Sequence, residues 1–158
     1  MRKNLCLLRK ALPIILLACA WTTLSADIVR GDTAPSKNVI TVTAHPRNNR
    51  GKLGCLLFKR SKGFPNKAKR ASRRAWTRIK KRQAVCHFTN VAPGHYAISI
   101  LHDENNNNKL DTNFFGIPKE EYGASNDAPP GTFSGPKFSK AKFRHDGRTK
   151  AMTLKLRY

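Results

Sequence analysis

The side chains best suited to chemistry are concentrated between His102 and Asn126, in the stretch HDENNNNKLDTNFFGIPKEEYGASN. Five of the chain's nine Asp and Glu residues sit there, interleaved with Asn105, Asn106, Asn107, Asn108 and Asn113. Oxygen-bearing side chains at alternate positions are what a hard cation requires. With Asp103 as the first position of a calcium loop, Asn105, Asn107 and Asp111 fall at the third, fifth and ninth, and the Lys109 carbonyl at the seventh. The twelfth is Phe114, which cannot ligate, so Asn113, Glu120 or Glu121 has to close the shell from outside the loop. With Asp103 and Asp111 as the two assured carboxylates, a calcium site here is a weak one, of about 10⁻⁴–10⁻³ M as in extracellular modules. The same residues also fit linked Asx turns, in which Asp and Asn bond their own backbone and no ion is held. The residue types leave both readings open.

A hydrolase-like centre would draw on His102, Asp103 and Ser125. Gly123-Ala124-Ser125-Asn126-Asp127 lacks the second glycine of a nucleophile elbow, and nothing else marks an activated serine. His102 reads more simply as a buried histidine bonded to a backbone carbonyl. The expectation is a non-enzymatic domain.

The second chemical feature is cationic. Twelve Lys and Arg lie from Lys59 to Arg82 with no acidic residue between them, and Phe64 and Trp76 are set among them. Ala68, Ala71, Ala75, Trp76 and Ile79 recur at spacings of three and four after the breaker Gly63-Phe64-Pro65 and the cap Asn66. That pattern predicts a short basic amphipathic helix over 66–82. Arg70, Arg73, Arg74, Arg78, Lys80 and Lys81 would form its charged face. A charge run can be merely a solvated face. Next to an anionic lipid or polysaccharide surface, however, each base contributes about 1 kcal/mol. Such a surface is the expected partner, and no specific nucleic-acid signal is present.

The whole chain carries a formal net charge of +22 over 158 residues. Met1–Ala26 has a basic start (Arg2, Lys3, Arg9, Lys10), an apolar run from Ala11 to Trp21, and small residues up to Ala26. This is a secretory signal pattern, too short for a stable membrane anchor. Leu16-Leu17-Ala18-Cys19 offers the alternative of a lipoprotein acylated at Cys19. Either way the protein is expected to be exported, periplasmic or secreted, without a transmembrane helix. Beyond residue 26, 27 Lys and Arg face nine Asp and Glu, a net +18. Such a field excludes little, but it favours phosphate-rich surfaces. Cys55 and Cys86 remain, and in an oxidising compartment they are expected to form a disulfide. Closing that loop stabilises the fold by about 3–4 kcal/mol.

Residues 27–37 read as a polar leader, and 38–158 as one domain. Alternation predicts strands over Asn38–Ala44, Lys52–Lys59, Gln83–Asn90 and His95–Leu101, a further one around Lys142-Phe143, and a last over Arg148–Tyr158. Both faces of Lys52–Lys59 are apolar, which marks a central strand. Short strands with Pro/Gly turns and one helix argue an all-β fold, a small Greek-key β-sandwich.

Phe88-Thr89-Asn90-Val91-Ala92-Pro93-Gly94-His95-Tyr96, His102-Asp103-Glu104-Asn105, Lys109-Leu110-Asp111-Thr112-Asn113, Phe115-Gly116-Ile117-Pro118-Lys119-Glu120 and Tyr122-Gly123 follow one another in order. With Pro136-Lys137-Phe138 and Ala141-Lys142-Phe143, they resemble the domain of unknown function 2141 family. The resemblance implies an exported bacterial protein with a transthyretin-like sandwich, and it implies no activity. The chain departs from that pattern at Asn108 and Glu121, where glycine is usual, and at Ala124, where an aromatic is usual.

Overall fold

Alternating strands build two sheets here, and the computed structural model describes them over residues 38–131 and 134–158. The expected signal segment 1–26, the acylation alternative at Cys19 and the polar leader 27–37 lie outside the described residues. Every described residue belongs to one unit, Thr33–Tyr158.

The first sheet has the order β4-β1-β8 and the second β3-β2-β5-β6. The strands are β1 (Ile40–Ala44), β2 (Lys52–Phe58), β3 (Arg73–Arg78), β4 (Ala84–Phe88), β5 (Gly94–Asp103), β6 (Tyr122–Ala124), β7 (Phe143–His145) and β8 (Lys150–Leu154). β7 adds to the start of β5, and β1 pairs with β8 in parallel, the other pairings of the two sheets being antiparallel. The all-β sandwich read from the sequence is the fold observed. β2 is a central strand, hydrogen-bonded to β3 on one side and β5 on the other.

The core lies between the sheets. Ile40, Val42 and Ala44 of β1 and Cys86 and Phe88 of β4 meet Leu53, Cys55 and Leu57 of β2 and Ile98 and Ile100 of β5. Burying each large side chain of this set contributes about 1.5–3 kcal/mol. The Cys55–Cys86 disulfide joins β2 to β4, one strand from each sheet, across 31 residues of chain. On the outer face of the second sheet a smaller cluster forms from Ala97, Ala124, Ala128 and Ala141, with Phe64 and Phe138 packed against it. The only α-helix among the described residues is the four-residue turn α1 (Phe138–Ala141), which supplies Ala141 to that cluster.

The helix expected over 66–82 is not there. Ala68–Arg70 forms a 3-10 turn and Arg73–Arg78 is the edge strand β3. The residues fit either period, because Arg74, Trp76 and Arg78 also alternate with Ala75, Thr77 and the buried Ile79. Two physical terms decide for the strand. A helix would stack cations three and four residues apart with no acid to offset them. β2, apolar on both faces, needs a second neighbour, and β3 provides it in the register Gly54↔Trp76 and Cys55↔Ala75.

Candidate functional site

Three connections meet at one end of the sandwich. Lys52 opposes both Arg78 and Asp103, so the start of β2, the end of β3 and the end of β5 lie side by side. There the turn 45–51, the turn 79–83 and the long connection 104–121 come together.

Asp103 anchors the long connection. It is fully buried, and its carboxylate accepts the backbone amides of Asn107 (3.0 Å) and Asn108 (2.8 Å), with Lys52 Nζ 3.6 Å away. Asn108, at the sixth position counted from Asp103, has φ of 63°, the left-handed backbone that calcium loops assign to glycine and that asparagine tolerates. Asn105 Oδ1 accepts the Asn107 amide, and Asn107 Oδ1 accepts the Lys109 amide, which are linked Asx turns. The amide nitrogens of those two side chains donate to Asp111, Asn105 at 2.6 Å and Asn107 at 2.9 Å. Glu120, also buried, accepts the backbone amides of Glu104 (2.9 Å) and Asp111 (3.0 Å) and so braces the loop from below.

The sequence placed Asp103, Asn105, Asn107, Lys109, Asp111 and Glu120 around one cation. The structure brings Asn105, Asn107 and Asp111 together but turns amide N–H groups, not oxygens, toward Asp111. Both Asp103 and Glu120 spend their oxygens on backbone amides. Among the described residues no three His, Cys, Asp or Glu side chains form a metal-binding group. As it stands the loop holds itself closed by Asx turns.

A carboxylate pair ties the loop to its neighbours. Glu104 accepts from Arg47 Nε (2.8 Å) and Asn48 Nδ2 (3.3 Å). Burial pushes the Glu104 carboxyl up, but the hydrogen bonds from Arg47 and Asn48 and the charges of Arg47 and His102 outweigh it and hold the group below its ordinary value. Glu121 accepts the Arg47 backbone amide (2.8 Å) and His102 Nδ1–H (2.9 Å). The other ring nitrogen of His102 lies 2.8 Å from the Arg50 carbonyl oxygen. Gly51 lets the turn sit this close: its φ is 63°, and a Cβ there would stand 1.9 Å from the Asp103 carbonyl oxygen. Ser125 is fully buried, accepts the Ile98 amide and donates to the Ala141 carbonyl (2.6 Å). His102 and Ser125 are thus committed to separate structural partners.

The cationic residues are arranged differently from the helical face the sequence suggested. Arg70 ends the 3-10 turn, Arg73, Arg74 and Arg78 lie on β3, and Lys80 and Lys81 lead into β4. All six are exposed. Lys80 and Gln83 exchange backbone hydrogen bonds of 2.9 Å in each direction, around Lys81 (φ 52°) and Arg82 (φ 55°). This is a two-residue turn with both central residues left-handed, where Asn-Gly is the relaxed choice. Asn49 Oδ1 steadies it by accepting the Arg82 amide at 2.7 Å.

Sequence reasoning missed a cleft of about 540 Å³ on the outer face of the second sheet, floored by Leu56, Trp76 and Leu101 and edged by Lys67, Arg70 and Lys109. Trp76 lies against Gly54, whose missing side chain makes room: a Cβ there would stand 2.4 Å from the indole. Lys52 Nζ lies 4.9 Å from the Trp76 ring centroid. The glycine inside an apolar strand was the available signal.

No helix of the described residues is long and apolar enough to cross a membrane. Neither the curated proteins nor the solved structures contain a match to this chain. A family match does exist, over residues 40–153, which takes in both sheets, the disulfide and the Asp/Asn loop. The chain belongs to DUF2141, the family described as an uncharacterized protein conserved in bacteria.

Proposed function

We propose that this protein is an exported, non-enzymatic domain of the cell envelope that binds anionic surfaces through the basic segment 66–82. The observation that carries this reading is the state of the twelve cations from Lys59 to Arg82. All are exposed, and among the described residues none forms an ion pair with a carboxylate. Edge protection accounts for part of this charge, because cations on β3 block pairing with another sheet. It does not account for Lys81 and Arg82. They lie in the turn beyond β3 and hold a left-handed backbone that costs a side-chain-bearing residue roughly 1–2 kcal/mol. Retaining two cations there at the expense of stability is the pattern of a working surface.

The Asp/Asn loop supports this face from behind. It fastens the 45–51 turn through Arg47 and Glu104, and that turn in turn holds Arg82 through Asn49. The direct experiment is co-sedimentation of residues 27–158, which contain both sheets, the core and the disulfide, with vesicles with and without anionic lipid. Binding to neutral vesicles equal to that on anionic ones would contradict the reading.

A second reading keeps the loop as a weak calcium site. Asn108, left-handed at the sixth position, favours it, and cation entry would require the Asn105 and Asn107 amides to rotate their oxygens inward. Calcium at millimolar concentration would then raise the melting temperature, and Asp111→Ala would abolish the rise. An unchanged melt in the wild-type protein would remove this reading and leave the loop a self-bonded turn.

A further inference from the structure

The Asp/Asn loop ends in a small hairpin that presents bare aromatic rings. Thr112 bridges Pro118, and Asn113 and Ile117 pair at the last rung, with the Asn113 amide bonded to the Ile117 carbonyl at 2.8 Å. Asn113 Oδ1 accepts the amides of both Phe115 and Ile117 at 2.9 Å, and Gly116 turns the chain with φ of 77°. The turn is therefore set by one asparagine, not by packing. Its side chains face outward: Phe114 is 97% exposed, Phe115 82% and Ile117 59%. The two rings touch edge to face at a centroid distance of 5.5 Å. Two nearly bare phenylalanines held by a hydrogen-bonded turn are an unusual cost for a highly charged protein.

We propose that this tip inserts into the interface of an anionic lipid bilayer, with the surrounding cations on the phosphate layer. Charge complementarity is what selects the lipid. Lys109 and Lys119 are exposed on the same loop, and the loop is rooted beside the turn that carries Lys81. Most of the loop's negative groups are turned away from its surface: Asp103, Glu120 and Glu121 are buried and Glu104 is paired with Arg47, while Asp111 stays half-buried and bonded to Asn105 and Asn107. An apolar tip on a loop that exposes Lys109 and Lys119 matches a headgroup layer over acyl chains. An anionic polysaccharide would also engage the cations, but it offers no acyl layer in which both rings and Ile117 could be buried together. This proposal rests on the anionic-surface reading above and adds to it the lipid and the inserted residues.

The test uses residues 27–158, in which Trp76 is the one tryptophan, and vesicles of mixed neutral and anionic phospholipid. Phe114→Ala with Phe115→Ala is expected to weaken vesicle binding about tenfold or more, because each ring loses apolar burial. Its melting temperature should match the wild type, since neither ring packs on the core. Phe114→Trp reports insertion directly: brominated acyl chains should quench it beyond the quenching of Trp76 in the parent. Unchanged binding in the double variant, with no added quenching at Phe114→Trp, would overturn insertion while leaving the electrostatic reading intact. Binding to an anionic polysaccharide but not to vesicles would do the same. A concentration-dependent dimer lost in the double variant, without vesicle binding, would overturn it in favour of a second copy of the chain. Binding to no anionic surface at all would end both proposals.

Discussion

Asp103 is the residue on which the loop's path depends most. Its carboxylate satisfies two backbone amides and faces Lys52 with no exposure to solvent. Replacing it leaves two part-buried backbone donors and the partly buried Lys52 ammonium without their acceptor, which costs more than one bond contributes. Asp103→Ala should destabilise the domain by about 2–4 kcal/mol in a denaturant melt. Asp111→Ala, whose partners are exposed asparagine side chains, should cost well under half of that. Equal losses at the two positions would mean that the carboxylates act as one unit. Glu104 gives a pH signature. Its carboxyl is held below the ordinary value, so its contribution is present above the unfolded-state pKa of about 4.3 and is lost as the pH falls through the folded value. Melting temperature should therefore fall with acidification below about pH 4, and Glu104→Gln should flatten that part of the profile. The residue types of this site were legible in the sequence, but their roles were not. Alternate spacing suggested that Asn105, Asn107 and Asp111 share one ion, whereas in the structure the two asparagine amides donate to Asp111. It could not show that the backbone amides of residues 107 and 108 would claim Asp103, because that depends on how far the loop folds back under β5.

The elements teach a second lesson through the segment 66–82. Its apolar residues satisfy a helical period and a strand period at once, and the ambiguity is settled outside the segment. β2 has two apolar faces and two edges to fill, so the chain after Ala71 is drawn in as a neighbour. The alternation of β1, β2, β4 and β5 was clear from the sequence because each has a core face fixed by its own residues. β6 is three residues long, held by its pairing to β5, and carries too little pattern to be read locally. The turn after β3 is where backbone strain and the proposed surface role pull in different directions. Lys81→Asn with Arg82→Gly should relieve the left-handed strain and raise stability by about 1–2 kcal/mol. The same variant should bind anionic vesicles more weakly. A loss of stability, or a gain without any loss of binding, would show that these cations are not kept for a partner.

At the scale of the molecule, charge and structure are segregated. Asp103 and Glu120 face inward and brace the long connection, while the cations from Lys59 to Arg82 are exposed and, among the described residues, form no ion pair with a carboxylate. The sandwich and the bridging disulfide followed from strand patterning and cysteine count. The cleft over Trp76 did not, since it exists only where the 3-10 turn and the Asp/Asn loop approach each other across the outer sheet face. The most direct measurement is a salt titration of residues 27–158 binding to anionic vesicles. The account predicts an affinity that falls steeply and steadily as ionic strength rises from about 50 to 200 mM, because the cations act at the surface through screened charge. An affinity that stays constant across that range would contradict it.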